Sequence, residues 1–291
     1  MRVATIVHQG VRRVGRMSAD GLRLELFAVD ALAGALPLIE AMDLGLQLPD
    51  VDGSVALTDA QLLAPLPAPR RNLFCIGRNY RAHASELQGS VFKDNAKAVD
   101  TWPIVFSKVP ETVVGPGADV RLPDPDISAQ IDYEAELAVV IGRGGRNIAR
   151  ADALRHVFGC TIVNDVTARD VQMRHAQWHL GKSFDTFCPM GPWIVTADEL
   201  DGRDTRIRGW VNGELRQDAR TADLIFDIPT LIETCSRGIT LLPGDIIATG
   251  TPAGVGMGPQ PPRWLVHGDV VRIAIDGIGE LQNRFVDEAR A

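Results

Sequence analysis

The sequence predicts a mostly β fold with a few helices, an α+β chain. Two observations carry that expectation. Gly (28) and Pro (18) are plentiful among the 291 residues and punctuate the chain with turn signals. Between them recur short Val/Ile-rich runs, such as Trp193-Ile194-Val195-Thr196, Asp245-Ile246-Ile247-Ala248-Thr249 and Val270-Val271-Arg272-Ile273-Ala274-Ile275, whose length and composition suit strands. Hydrophobic residues at 45% and charged residues at 23% are ordinary for a soluble globular chain with an ample core.

In chain order, residues 1–64 read as a small first unit, with strands near 2–9 and 22–29 ahead of a Leu/Ala-rich stretch. The Pro-rich segment Ala64-Pro65-Leu66-Pro67-Ala68-Pro69-Arg70 cannot continue a helix or a central strand, so residues 65–71 read as a linker. No second break of that kind follows, and residues 72–291 read as one domain. It begins with a buried strand, Leu73-Phe74-Cys75-Ile76-Gly77. His83 and Glu86 come next, three residues apart, and share a face if their segment is helical. Residues 88–101 are polar and aperiodic. They suit a solvated loop, and their place straight after the His/Glu pair points to a lid over a site.

A net charge of −7 offers no general attraction for nucleic acid or an anionic membrane. The N-terminal residues lack the apolar core of a secretory signal, and no window approaches the ~18 uninterrupted apolar residues of a membrane span. Cys75, Cys160, Cys188 and Cys235 are scattered, with no C-x-x-C pair, and read as reduced and buried. These features set the expectation of a cytoplasmic protein.

The chemistry begins at Asp132-Tyr133-Glu134-Ala135-Glu136-Leu137. Glu134 and Glu136 lie two apart at the head of the strand-like run 136–141, so both carboxylates project from one face. Two such groups raise each other's cost of ionisation unless a cation sits between them. Asp165 closes another apolar run, 160–164, and can supply a third carboxylate. Three carboxylates with no His or Cys suit a hard cation, magnesium before manganese or calcium. An isolated E-x-E is more often a solvated strand face, so context has to decide. Gly250-Thr251-Pro252-Ala253-Gly254-Val255-Gly256-Met257-Gly258 mimics a phosphate-binding loop. It lacks the Lys-Ser/Thr ending and runs into Pro259 and Pro261 instead of a helix, so it reads as a turn-rich site wall. There is no G-x-S-x-G of a serine hydrolase.

That context comes from ordered motifs. Phe74-Cys75-Ile76-Gly77-Arg78-Asn79-Tyr80, Tyr133-Glu134-Ala135-Glu136-Leu137, the run from Asn164-Asp165 to Gln172, and Gly181-Lys182-Ser183-Phe184-Asp185 resemble the fumarylacetoacetate hydrolase superfamily. Val211-Asn212-Gly213-Glu214 and the run from Pro243-Gly244 to Pro252 match it in the same order. The resemblance covers residues 72–285 and implies a mixed β-sandwich or roll catalytic domain behind a small N-terminal domain. It also implies a homodimer, bound magnesium or manganese, and a small 2-oxo or 2,4-dioxo acid as substrate.

Residue by residue, the resemblance makes Glu134, Glu136 and Asp165 the metal ligands. It makes His83 and Glu86 a water-activating pair, which an imidazole with an unperturbed pKa of about 6.5 can serve. Lys182 matches an active-site lysine. Arg169 and Gln172 suit a carboxylate clamp and an oxyanion donor, Thr251 matches a carboxylate contact, and Arg78 and Tyr80 help shape the pocket. Each also has a plain structural reading, and the role of a further lysine, Lys108, stays open. The expected activity is metal-dependent C–C hydrolysis of acylpyruvate-like acids to pyruvate and a carboxylic acid. The alternatives on the same metal site are oxaloacetate decarboxylation and the isomerisation or decarboxylation of an unsaturated dioxo acid.

Overall fold

Alternation along residues 135–141 sets the centre of the fold. Ala135, Leu137, Val139 and Ile141 enter one apolar cluster, and Ala138 and Val140 enter another on the opposite face. A strand apolar on both faces must be covered on both, as a central strand is. The computed structural model describes residues 1–86, 101–174 and 176–288. The expected lid falls at 88–101, of which 88–100 lie outside the described residues.

Residues 1–64 supply β1 (Arg2–His8), β2 (Val11–Met17), β3 (Arg23–Phe27), α1 (Leu36–Asp43), β4 (Val51–Ala56) and β5 (Gln61–Leu62). Next come β6 (Leu73–Gly77), α2 (Arg81–Glu86), β7 (Ile104–Lys108), β8 (Val113–Val114), β9 (Val120–Leu122) and β10 (Ile131–Asp132). The middle of the chain forms β11 (Ala135–Ile141), β12 (Val157–Asn164), β13 (Thr167–Ala168), α3 (Arg169–Gln172), α4 (His179–Lys182) and β14 (Cys188–Thr196). The last part forms β15 (Arg206–Val211), β16 (Glu214–Arg220), α5 (Ile228–Ser236), β17 (Ile246–Ala248), β18 (Val270–Ile275) and β19 (Gly279–Asp287). The chain is mostly β with short helices, as its Gly/Pro punctuation predicts.

A 12-stranded sheet runs β4-β3-β2-β1-β14-β12-β11-β17-β6-β7, with β5 beside β1 and β8 beside β14. The strands of residues 1–64 join it because β1 pairs antiparallel with β14, Arg2 opposite Val195. The Pro-rich segment forms neither helix nor strand, yet Leu66 is buried and the Pro65 carbonyl accepts from the Thr5 hydroxyl at 2.8 Å. A five-stranded sheet, β16-β15-β18-β19-β9, packs its inner face into the first apolar cluster. All four cysteines are free and buried. No described helix is long and apolar enough to cross a membrane.

β11 and β12 pair antiparallel from Ala135↔Asn164 inward. The same end of the sheet receives β17, and β6 joins β17 in parallel with Ala248 opposite Cys75. The segments that leave these strands, 78–86 and 249–258, therefore emerge beside the carboxylate-bearing end of β11. Leu137 is fully buried at the middle of this arrangement. Leu137→Ala should lower stability by about 2–5 kcal/mol, read as a lower urea midpoint at unchanged m-value.

Candidate active site

Glu136 is the second residue of β11, and Glu134 lies just ahead of the strand. The pairing nonetheless continues past the strand end. The Glu134 amide donates to Asn164 Oδ1 at 3.0 Å, and the Asp165 amide donates to the Glu134 carbonyl at 2.9 Å. This two-strand lock keeps the period of two intact, so Glu134 and Glu136 share a face and Asp165 joins them from across the ladder. Carboxylate oxygens of all three lie within 4.8 Å of one another. All three residues are buried, at 5%, 1% and 0% exposure.

Cations surround two of the three. Lys182 Nζ lies 2.8 Å from Glu134 Oε2 and 2.7 Å from Asp165 Oδ2. Lys108 Nζ is 2.8 Å from Asp165 Oδ1, and also donates to the carbonyls of Val166 and Lys182. Arg169 reaches Glu134 Oε1 at 2.7 Å and Asp132 Oδ2 at 2.9 Å. Burial opposes ionisation of Glu134, but Lys182 and then Arg169 outweigh it and hold its pKa down at about 2. Burial likewise opposes the charge on Lys182, and Asp165 and Glu134 overcome it, raising that pKa above the usual lysine value.

Glu136 differs. It accepts the Gly250 amide at 2.9 Å, and among the described residues it has no ion-pair partner. Burial first, then Asp165 and Glu134, push its carboxyl well above the ordinary value of 4.5. A buried carboxylate facing two others and lacking a cation of its own is the local deficit that a bound divalent cation corrects. The donor set is oxygen-only, which suits a hard ion, and each carboxylate oxygen carries a second lone pair beyond the one its lysine or arginine uses. The three residues fit a divalent metal.

Above the carboxylates opens a pocket lined by Arg78, His83, Glu134, Arg169, Gln172, Lys182 and Thr251, with Ile76, Gly77, Phe106 and Trp178 as its apolar walls. Seven of the residues singled out in the sequence thus meet at one place. His83 and Glu86 lie on α2, where Nδ1 is 3.1 Å from Glu86 Oε2. Because the carboxylate accepts, Nδ1 carries the proton and Nε2 is the basic atom. Tyr80 does not line the pocket. It is buried and forms a main-chain bridge with Leu224.

Arg169 and Lys182 turn to protein carboxylates as described, and Gln172 Oε1 accepts from Arg169 Nη1 at 3.2 Å. Thr251 donates to the Ala135 carbonyl and accepts from Gln217 Nε2 at 2.8 Å. Sequence reasoning assigned no role to Asp132, which anchors Arg169, or to the aromatic walls Phe106 and Trp178. It left Lys108 without one. Asp132 stands two residues before Glu134, and that spacing was its available signal.

A β-rich fold that buries an oxygen-only carboxylate cluster able to hold a divalent cation, beneath a pocket lined by His83 and Glu134, has the makings of a metal-dependent enzyme. The match of residues 72–286 to the fumarylacetoacetate (FAA) hydrolase C-terminal family places this chain in that family. Oxaloacetate tautomerase YisK of Bacillus subtilis is 50% identical over 231 residues, 79% of this chain and 74% of the relative. The structure of a fumarylacetoacetate hydrolase from Exiguobacterium antarcticum is 40% identical and covers 99% of this chain and 100% of its own, with a TM-score of 0.83. That of a 2-hydroxyhepta-2,4-diene-1,7-dioate isomerase from Mycobacterium marinum is 35% identical, covers 99% of each chain, and has a TM-score of 0.79.

The carboxylate cluster makes a pH-dependent prediction. Glu136 holds its proton well above 4.5 in the metal-free fold and titrates near 4.5 when unfolded, so the metal-free protein loses stability as pH rises above that value. Metal ligation requires the ionised form. The gain in thermal midpoint on adding Mg2+ to chelator-treated protein should therefore grow between about pH 5 and pH 8. Calorimetric scans with and without Mg2+ check this, and a gain that is flat or shrinking with pH contradicts it.

Proposed function

We propose that the protein is a metal-dependent enzyme of small 2-oxo acids that interconverts the keto and enol forms of an oxaloacetate-type acid. The observation that carries this reading is the buried His83, oriented by Glu86, on the wall of the pocket above the carboxylate cluster. The 50% identity to a relative named for oxaloacetate tautomerisation supports the same substrate class.

His83 Nε2 takes a proton from C3 of the keto acid as the C2=C3 bond forms, and the same imidazolium returns a proton to the C2 oxygen, giving the enol. The reverse passage restores the ketone. Glu86 holds the ring in the tautomer that exposes Nε2 and stabilises the imidazolium between the two transfers. Lys182 and Arg169 keep Glu134 ionised, and Lys108 together with Lys182 holds Asp165 in place. Glu134, Glu136 and Asp165 would hold a divalent cation, magnesium or manganese, which would supply Lewis acidity there. Phe106 and Trp178 exclude water from the proton path.

Hydrolysis of acylpyruvate-like 2,4-dioxo acids is the second reading, favoured by the full-length likeness to a fumarylacetoacetate hydrolase. There His83 Nε2 would deprotonate a water that attacks the distal carbonyl. The two readings separate on products. With Mg2+-loaded protein, tautomerisation predicts faster decay of the oxaloacetate enol absorbance with no pyruvate or carbon dioxide released. Pyruvate and acetate from acetylpyruvate would move the function to hydrolase. Pyruvate and carbon dioxide from oxaloacetate would move it to decarboxylase.

His83→Ala should lower kcat by on the order of 10²–10⁴ with Mn2+ affinity unchanged. Parallel loss of metal affinity would refute this division of roles. Chelator should abolish turnover, and borohydride with substrate should trap no adduct on Lys182. A trapped adduct would mark a Schiff-base lyase instead.

A further inference from the structure

The Gly-rich segment 250–258 turns its main-chain amides onto carboxylates. Gly250 N–H donates to Glu136 at 2.9 Å, Gly254 N–H to Glu86 at 3.1 Å, Gly256 N–H to Asp132 at 2.6 Å and Met257 N–H to Asp132 at 3.1 Å. One loop therefore touches the metal cluster, the His/Glu pair and the anchor of Arg169. Glu86 is the carboxylate among them with the least packing to hold it. It ends a helix of six residues, and its side chain is 18% exposed.

Besides the His83 ring, two features among the described residues hold it. One is the Gly254 amide. The other is Gly258, where a Cβ would lie 2.0 Å from Glu86 Oε1, 2.6 Å from its Cδ and 3.0 Å from its Cγ. The Glu86 carboxyl occupies the volume that any side chain at 258 would fill. Gly258 does not have a positive φ, so its backbone accepts alanine, and the atoms in the way are the free end of a flexible side chain. The fold can absorb that methyl group by moving Glu86 alone. Gly254 is different, because its Cβ would meet the Arg216 carbonyl oxygen at 1.9 Å and its φ is +105°. Substitution there disturbs main chain.

We infer that Gly258 is a positioning residue for the acid–base pair, leaving open the space that lets Glu86 accept from His83 and from Gly254 at once. The inference rests on the reading of His83 as the proton-moving group, and the test separates the two. In 15N-histidine-labelled protein the His83 ring signals are assigned by their loss in His83→Ala. The wild type should show a protonated Nδ1 and a bare Nε2.

Gly258→Ala and Glu86→Ala should both abolish that fixed tautomer while leaving Mn2+ affinity as in wild type. Both should lower kcat by the same factor, on the order of 10². The double variant should be no worse than Glu86→Ala, because the carboxylate that clashes with the new methyl group is gone. Wild-type His83 ring signals in Gly258→Ala, or losses that multiply in the double variant, would overturn the inference. Full turnover by His83→Ala would instead defeat the proton-transfer reading, and the ring signals would still decide whether Gly258 positions Glu86.

Discussion

Four carboxylates, on Asp132, Glu134, Glu136 and Asp165, lie in a core almost closed to water, and everything around them answers the charge they bring. An unpaired buried carboxylate is costly enough that it takes up a proton instead. Lys108, Lys182 and Arg169 pair with three of the four. All three cations are themselves buried, so none has water to fall back on. Such a network is mutually dependent, and removing one member strands another at about 3–5 kcal/mol. The fourth carboxylate, Glu136, is the place where compensation stops and a divalent cation would fit.

This constraint explains why the site is built from so many short pieces. β11 and β12 bring the carboxylates together, β7 ends on Lys108, α4 ends on Lys182, and α3 begins with Arg169. None of these helices is long enough to be stable alone. They are held by the ion pairs at their ends as much as by apolar packing, so site and local fold stabilise the same elements. Among the described residues His83 and Glu86 form an ion pair with each other and with no member of that network. They arrive on a separate short helix, and the Gly254 amide ties Glu86 to the Gly-rich segment. Similar proteins are named as a tautomerase, an isomerase and a hydrolase.

Much of the centre is legible in the sequence because it follows local period. Glu134 and Glu136 share a face by the alternation of a strand, and Asp165 ends the neighbouring apolar run. The His83/Glu86 spacing matters only once residues 81–86 are known to be helical. What local pattern could not reach were partners chosen by distant pairing. Lys108 looks like any lysine after a strand until β6 and β7 pair and bury it against Asp165. Asp132 reads as one more acid beside an acidic motif, although it ties Arg169 to the 256–257 amides. The joining of β1 to β14 is of the same kind, since edge register across so long a chain leaves no mark on either strand alone.

The separations along the chain give the centre an order of assembly. Lys182 lies 17 residues from Asp165, whereas Gly254 lies 168 residues from Glu86. Closing the longer loop costs about 2 kcal/mol more chain entropy, from the logarithm of the ratio of lengths. All three cations of the centre precede the last third of the chain, whereas the amides that Glu136, Asp132 and Glu86 accept come from within it. A chain lacking its last third therefore holds Lys108, Arg169 and Lys182 beside their carboxylates but lacks the amide that Glu86 accepts. The orientation of the His83 ring thus depends on the part of the chain that is made well after the carboxylates.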